Sequence, residues 1–434
     1  MSRAQAGIPF HDLGATLSFP DSITFKAQVD TGAHIERVVL EYGVERLTCG
    51  TVVAEAFPTL PVLNLGGSTF DVSWTWDMRK SGSEPPGSRI WYRWRMTDKS
   101  GASFLSDKKT VLWLDDKHKW GSLSRDKITF HWYDGSRAFA QELLDSAYSS
   151  LTRLSQTTGV TLQSPVHMYI YADTEDMKEA ILYEPNWTGG QAFPASSIVI
   201  IGINSEKTEW GKKSEAHELT HVLVGHLTFS CLGSVPTWLN EGIAVYGEGG
   251  PDDSSKDRLK SAVQEDTLIS VRALSGGFSE HPDRADLSYA ESYSLVNYLV
   301  TKFGQGKMLK LFGNLRDGMK IEDALLDAYG FGLDGLEDGW RASVGAKPRV
   351  ASGAQPTSTV APTPIPTYRP SSAAPVAPTA NTTPEAEATP ISSIATASKP
   401  QDASLRIGIV VAGGVLLFTS IALYVTRRKR SATS

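Results

Sequence analysis

Two histidines four residues apart, the first followed at once by a glutamate, stand in an apolar stretch: His217-Glu218-Leu219-Thr220-His221. Positions i and i+4 of an α-helix share a face, so a helix here projects both imidazoles the same way. Two neutral imidazoles and one carboxylate form a three-ligand set for a catalytic Zn²⁺, with the fourth position left to water. Downstream, Trp238-Leu239-Asn240-Glu241-Gly242 offers the missing carboxylate, Glu241, from a second helix. Glu218 is then free to act as a base on that water.

The short pattern alone arises by chance in helical sequence, where it marks two surface histidines on an amphipathic helix. The surroundings favour the metal. Ser214-Glu215-Ala216 leads in and Val222-Leu223-Val224 follows, so the run belongs to a semi-buried helix. Histidines buried there need a partner. Pro236 can open the second helix, which Trp238, Leu239, Ile243 and Val245 can pack. Glu241 stands among those apolar residues, and a buried carboxylate needs a cation.

H-E-x-x-H followed by W-L-N-E-G resembles the gluzincin zinc metallopeptidases, the thermolysin and aminopeptidase N superfamily, and in particular the peptidase-MA-like domains of bacterial proteins. The resemblance runs on through Ser288-Tyr289-Ala290-Glu291-Ser292-Tyr293, similar to the tyrosine-led helix of the aminopeptidase-like branch, and covers roughly Ile128 to Arg341. It implies His217, His221 and Glu241 as zinc ligands, Glu218 as general base and Tyr289 as donor to the developing oxyanion. Tyr293, one turn on, and His281, in a polar loop stretch, are the alternatives for that donor. His226 reads as a structural histidine, because three protein groups already fill the site. Aminopeptidases of the family carry a glutamate in a G-x-M-E-N-like stretch that grips the substrate's amine. The corresponding run here, Gly189-Gly190-Gln191-Ala192-Phe193-Pro194-Ala195, has no carboxylate, so an endopeptidase fits better. The resemblance also places the strand Ser197 to Ile201 along the substrate cleft.

Other elements must position these groups. The chain has 434 residues and a formal charge of −6, with Lys and Arg dispersed and no basic stripe for nucleic acid. Residues 1–117 show alternating runs such as Ile23 to Val29, Phe70 to Trp76 and Trp91 to Met96, the pattern of an all-β immunoglobulin-like sandwich. In the last run Arg93 and Arg95 share a face with Trp91, where a cation–π contact can form. From Ile128 the pattern becomes mixed, and residues 118–346 are expected to form the α+β metallopeptidase domain. Helices are expected over Phe139 to Ser155, Thr174 to Leu182 with Thr174 as cap, Lys307 to Leu315, and Ile321 to Ala328 with Gly330 as stop. His131 and His167 fall in strands and read as core or edge residues. The two cysteines, Cys49 and Cys231, fall in different predicted domains, so no disulfide framework is implied.

Residues 347–404, rich in Pro, Ala, Ser and Thr, cannot bury a core and are expected to be a disordered stalk. Ile407 to Thr426 is an uncharged run long enough for a bilayer, so residues 405–426 are expected to be a transmembrane helix. The basic tail 427–434 puts that end in the cytoplasm and the folded part outside. Met1 to Phe10 lacks the apolar region of an export signal, so the expectation is either a start site placed too late or a tail anchor of opposite orientation; the stalk and the arginine cluster favour the first. The sequence therefore predicts a membrane-anchored zinc peptidase with a peptide or protein substrate. The competing expectations are an inactive cell-surface binding protein that uses the sandwich, and a purely structural stalked protein.

Overall fold

The computed structural model describes residues 10–349 except 31–34, 61–68, 182–188 and 280. Apart from residues 347–349, the expected stalk, transmembrane helix and tail lie outside the described residues. Among the described residues no helix is long and apolar enough to cross a membrane.

The amino-terminal part is two facing sheets. Strands β1 (Phe10–Ser18), β2 (Ser22–Asp30), β3 (Ile35–Val44), β4 (Ala54–Ala56) and β5 (Thr69–Asp77) precede a single turn, α1 (Met78–Ser81). Then come β6 (Ser88–Asp98), β7 (Ser103–Leu105) and β8 (Lys109–Trp113). One sheet has the order β1-β2-β5; the other runs β4-β3-β6, with β7 and β8 both pairing along β6. The period-2 pattern explains the core: Ile23, Phe25, Ala27 and Val29 of β2 face Val38 and Leu40 of β3 and Ile90, Tyr92, Trp94 and Met96 of β6. Arg93 and Arg95 do not meet Trp91. Both are drawn to the carboxylate of Glu41 across the strand pair, and Lys108 instead covers the Trp91 ring at 4.1 Å. An ion pair with hydrogen-bond geometry outweighs a cation–π contact at an exposed face.

The second part is built on a five-stranded mixed sheet. It opens with β9 (Gly121–Arg125) and β10 (Ile128–Trp132), followed by α2 (Arg137–Thr157), β11 (Val166–Tyr171), α3 (Thr174–Glu179), β12 (Gly190–Phe193) and β13 (Ile198–Gly202). The sheet order is β12-β13-β11-β10-β9. Strand β9, absent from the sequence reading, is polar apart from Leu123 and lies at an edge. Asp173, not Thr174, caps α3, accepting from the N–H groups of Glu175 and Asp176. Eight helices follow: α4 (Thr208–Thr228), α5 (Thr237–Glu248), α6 (Asp253–Glu265), α7 (Val271–Leu274), α8 (Pro282–Phe303), α9 (Gln305–Arg316), α10 (Ile321–Tyr329) and α11 (Leu333–Ser343). Gly330 ends α10 in the left-handed conformation, as its position implied.

The sheet is covered on both sides. Met168, Ile170, Val199 and Ile201 face the helices, while Tyr169, Tyr171, Ile198 and Ile200 face a smaller cluster that includes Phe19 of the sandwich and Trp120. Gly87 of the sandwich sits against the Tyr169 ring, where a side chain would collide. The sandwich is thus packed on the back of the sheet. The two parts are also joined covalently: Cys49 and Cys231 form a disulfide with Cα atoms 5.6 Å apart, a link the sequence did not imply. Assignment to separate domains is a statement about chain order and does not exclude contact across a packed interface.

Candidate metal centre

Helix α4 carries the motif and is buried almost throughout from Ser214 to Val224. A helix without a polar face belongs in the interior. Leu219, Val222 and Leu223 join the main core, while His217, Glu218 and His221 occupy the side toward α5 and β12. Helix α5 begins after Pro236 and ends at Gly249, whose φ of 101° closes the last turn. Two close approaches seat it. Gly242 lies on the Ser292 carbonyl and Val296 of α8, and Gly247 lies on the Thr220 hydroxyl of α4. The Gly247 carbonyl accepts from Ser150 and Arg153 of α2.

These contacts bring Glu241 to the two histidines. Its Oε2 is 3.3 Å from His217 Nε2 and 3.6 Å from His221 Nε2, and all three side chains are about 1 % exposed. Among the described residues this is the group of side chains whose ligand atoms all fall within 4.8 Å of one another. His217 Nε2 and Glu241 Oε2 are buried without a hydrogen bond. Buried polar atoms left so are rare unless something is meant to lie between them. The donor set, two imidazole nitrogens and a carboxylate oxygen, fits zinc.

Electrostatics agree. Burial holds the His221 ring down to about 4, against the opposing pull of Glu241, so it is neutral and can ligate. Burial also acts against a charge on His217, but the carboxylates of Glu241 and Glu248 overcome it and hold that ring well above the ordinary histidine value. A cation held by the three groups would compete with a proton for His217. Glu218 is pushed up to about 7, chiefly by burial; His217 opposes the rise, Glu241 and Glu248 add to it, and a hydrogen bond with the Ala192 backbone offsets part of it.

The supporting groups escaped the sequence reading. Glu248 Oε1 lies 2.6 Å from His217 Nδ1, and the Asn240 side chain hydrogen-bonds His221. For Glu248 the signal was present, seven positions and two turns after Glu241 on the same helix face; Asn240, one position before Glu241, carried none.

Of the three oxyanion-donor candidates, Tyr289 has its ring centroid 6.2 Å from that of His217, with Phe278 packed edge-on at 5.2 Å. Tyr293 stacks instead on Tyr246 at 5.4 Å, and His281 sits exposed at the start of α8. His226 bonds Ser197 and the Pro194 carbonyl, a structural role. His131 and His167 bond each other across β10 and β11.

The strand expected along the cleft is corrected. β13 pairs with β11 on one side and β12 on the other, so its backbone is spent, and the edge strand is β12. The Gly202 N–H bonds the Gly189 carbonyl. By antiparallel alternation, Gln191 and Phe193 then direct their backbone groups at β13, while Gly190 and Ala192 direct theirs at the open edge. Gly190 lies against the Glu218 side chain.

A sequence model of the peptidase MA superfamily matches residues 146–346. Those residues form a gluzincin-like peptidase MA domain. The match spans α4, α5 and α8, so the peptidase MA domain contains every candidate named above as metal ligand, base or oxyanion donor. Among solved structures, the chain is similar to an M1 zinc metallopeptidase from Deinococcus radiodurans, at 11 % identity over 78 % of this chain and 94 % of that one, with a TM-score of 0.33. A mutant of that enzyme bound to a Tyr-Ser-Ala substrate matches at 12 % identity over 79 % and 94 %, with a TM-score of 0.34. A Br derivative of BhCBM56 matches at 11 % identity over 23 % of this chain and 87 % of that one, with a TM-score of 0.16. No curated protein matches the chain. Assignment of the peptidase MA domain rests on the superfamily match together with the His217, His221 and Glu241 cluster.

Proposed function

We propose that the chain is a zinc-dependent endopeptidase held at a membrane surface. The observation that carries this is the convergence of His217, His221 and Glu241 with Glu218 beside them, inside a peptidase MA domain. Zinc held by the three ligands would supply Lewis acidity toward the scissile carbonyl and bring a water near neutral pKa.

The chain's own groups do the rest. An extended peptide lies along the open edge of β12, hydrogen-bonded to the backbone of Gly190 and to the Ala192 carbonyl, while the Ala192 N–H is held by Glu218. Glu218, with a proton affinity poised near neutrality, takes the proton of the attacking water and delivers it to the leaving amine. Tyr289 donates to the oxygen on which negative charge develops. No carboxylate stands on Gly190 to Phe193 to hold a free amino terminus, which favours internal cleavage.

Placement outside the cytoplasm draws support from Cys49–Cys231, since such bonds persist in oxidising compartments. Residues 405–426 would anchor the chain in the bilayer.

The test is cleavage of a peptide library by the folded chain with and without chelator, alongside Glu218→Gln. The expected result is one zinc per chain, chelator-sensitive turnover, and a variant that keeps zinc but loses roughly 10²–10⁴ in rate. Zinc-free protein without turnover overturns the assignment and leaves a surface binding protein; turnover retained by Glu218→Gln overturns Glu218 as the base.

A further inference from the structure

Tyr289 of α8 meets two other rings. His217 has its centroid 6.2 Å away and its plane at 64°; Phe278 has its centroid 5.2 Å away and its plane at 87°. The His217 ring is buried and held by Glu248 at 2.6 Å, so its place is settled within the metal centre. Tyr289 is only half-buried, and its orientation is a separate matter. A tyrosine on a helix has two common χ1 wells. The hydroxyl stands on the ring axis, so χ1 decides where it points, and the ring cannot serve the metal from both wells.

Phe278 comes from the segment between α7 and α8. That segment begins at Ser275, whose carbonyl accepts from the Thr237 N–H at 3.4 Å, in the first turn of the helix that carries Glu241. Gly276 and Gly277 follow, both exposed, and nothing lies within 4 Å of the point where a side chain on Gly277 would begin. Phe278 is half-buried and packs on the main core. An apolar ring thus ties down a segment otherwise open to solvent, and the same ring stands edge-on to Tyr289. In such a pair the positive edge of one ring meets the negative face of the other, so the attraction depends on orientation in a way that aliphatic packing does not.

We propose that Phe278 is a positioning residue for the oxyanion donor: it selects the side-chain orientation of Tyr289 that carries the hydroxyl toward the metal centre. The inference rests on the Tyr289 reading above and deepens it. Through Ser275 and Thr237 the segment is registered to α5, so the donor and the ligand Glu241 are placed from a common support.

The test is a double-mutant cycle in the full, zinc-loaded chain on a peptide that it cleaves. Phe278→Ala should lower kcat by roughly three- to tenfold with KM within about twofold, the scale of one edge-to-face ring pair. Phe278→Tyr keeps the ring and should keep the rate. Tyr289→Phe should lower kcat further, and Phe278→Ala added to it should cost nothing more. An equal loss in both backgrounds overturns the positioning role, because the ring then acts other than through the Tyr289 hydroxyl. A change in KM alone also overturns it and makes Phe278 a wall of the substrate cleft. A second readout needs no turnover. With cobalt(II) in place of zinc and 3-fluorotyrosine at position 289, fluorine NMR relaxation reports the distance from that ring to the metal. Relaxation should be faster with Phe278 than in Phe278→Ala; equal rates overturn the proposal. Native turnover by Tyr289→Phe sinks the donor reading alone, and the fluorine measurement still decides whether Phe278 orients the ring.

Discussion

Glu248 Oε1 sits 2.6 Å from His217 Nδ1, two turns along α5 from Glu241, which faces Nε2 of the same ring at 3.3 Å. One helix thus carries a candidate metal ligand, Glu241, and a carboxylate, Glu248, placed to fix the tautomer of another candidate, His217. A carboxylate behind a ligating imidazole orients the ring and raises its basicity.

Glu248→Gln should therefore weaken zinc binding roughly 10- to 100-fold with little change in folding. Competition against a zinc-chelating dye measures it. An affinity within a factor of about two of the native value would reduce Glu248 to a bystander.

Gly242 has a different role. Exchanging Gly for Ala inside a helix normally gains about 1 kcal/mol. Here the added methyl would meet the Ser292 carbonyl oxygen at 2.3 Å and Val296 at 2.6 Å. A backbone carbonyl cannot step aside as a side-chain tip can, so overpacking at about 1–3 kcal/mol outweighs the propensity gain. Gly242→Ala should be less stable in urea and bind zinc more weakly, since the shift moves Glu241. Increased stability would show that α5 and α8 are less tightly seated.

Stability should also depend on pH through Glu291. Burial raises its carboxyl to about 8, although the Ile269 N–H and Arg341 pull it down. The ordinary glutamate value is 4.5, so between pH 4.5 and about 8 the folded chain holds a proton that the unfolded chain has lost. The resulting stability is full below 4.5 and is lost as pH rises through 8. Glu291→Gln stays neutral throughout, so its melting temperature should fall less steeply between pH 5 and 8. Parallel curves for both proteins would exclude this contribution.

The disulfide closes a loop spanning a sequence separation of 182 residues. Cys49→Ser with Cys231→Ser should cost about 2–4 kcal/mol of unfolding free energy. Urea unfolding compared under reducing and oxidising conditions checks this: reductant should bring the native protein to the variant's stability and leave the variant unchanged.

Much of the centre was legible in the residues themselves. The spacing of His217 and His221 guarantees a shared helical face, and an apolar setting for Glu241 guarantees that its charge needs a partner. The alternation of Ile23 to Val29 and the stop at Gly330 likewise follow from local backbone geometry. Strand β9 was not legible, because a polar edge strand carries no burial pattern to read.

What the sequence determined by itself is local: which side chains share a face, where helices begin and end, and which groups can hold zinc. Tertiary structure alone decided three things. Packing of α5 against α4 and α8 chose Glu248 and Asn240 as partners of the two rings. Sheet order made β12, rather than the more apolar β13, the open edge. Contact between the sandwich and the α4–α5 loop joined Cys49 to Cys231. Each is a contact between segments remote in the chain, and periodicity within a segment records only that a face is buried, never against what.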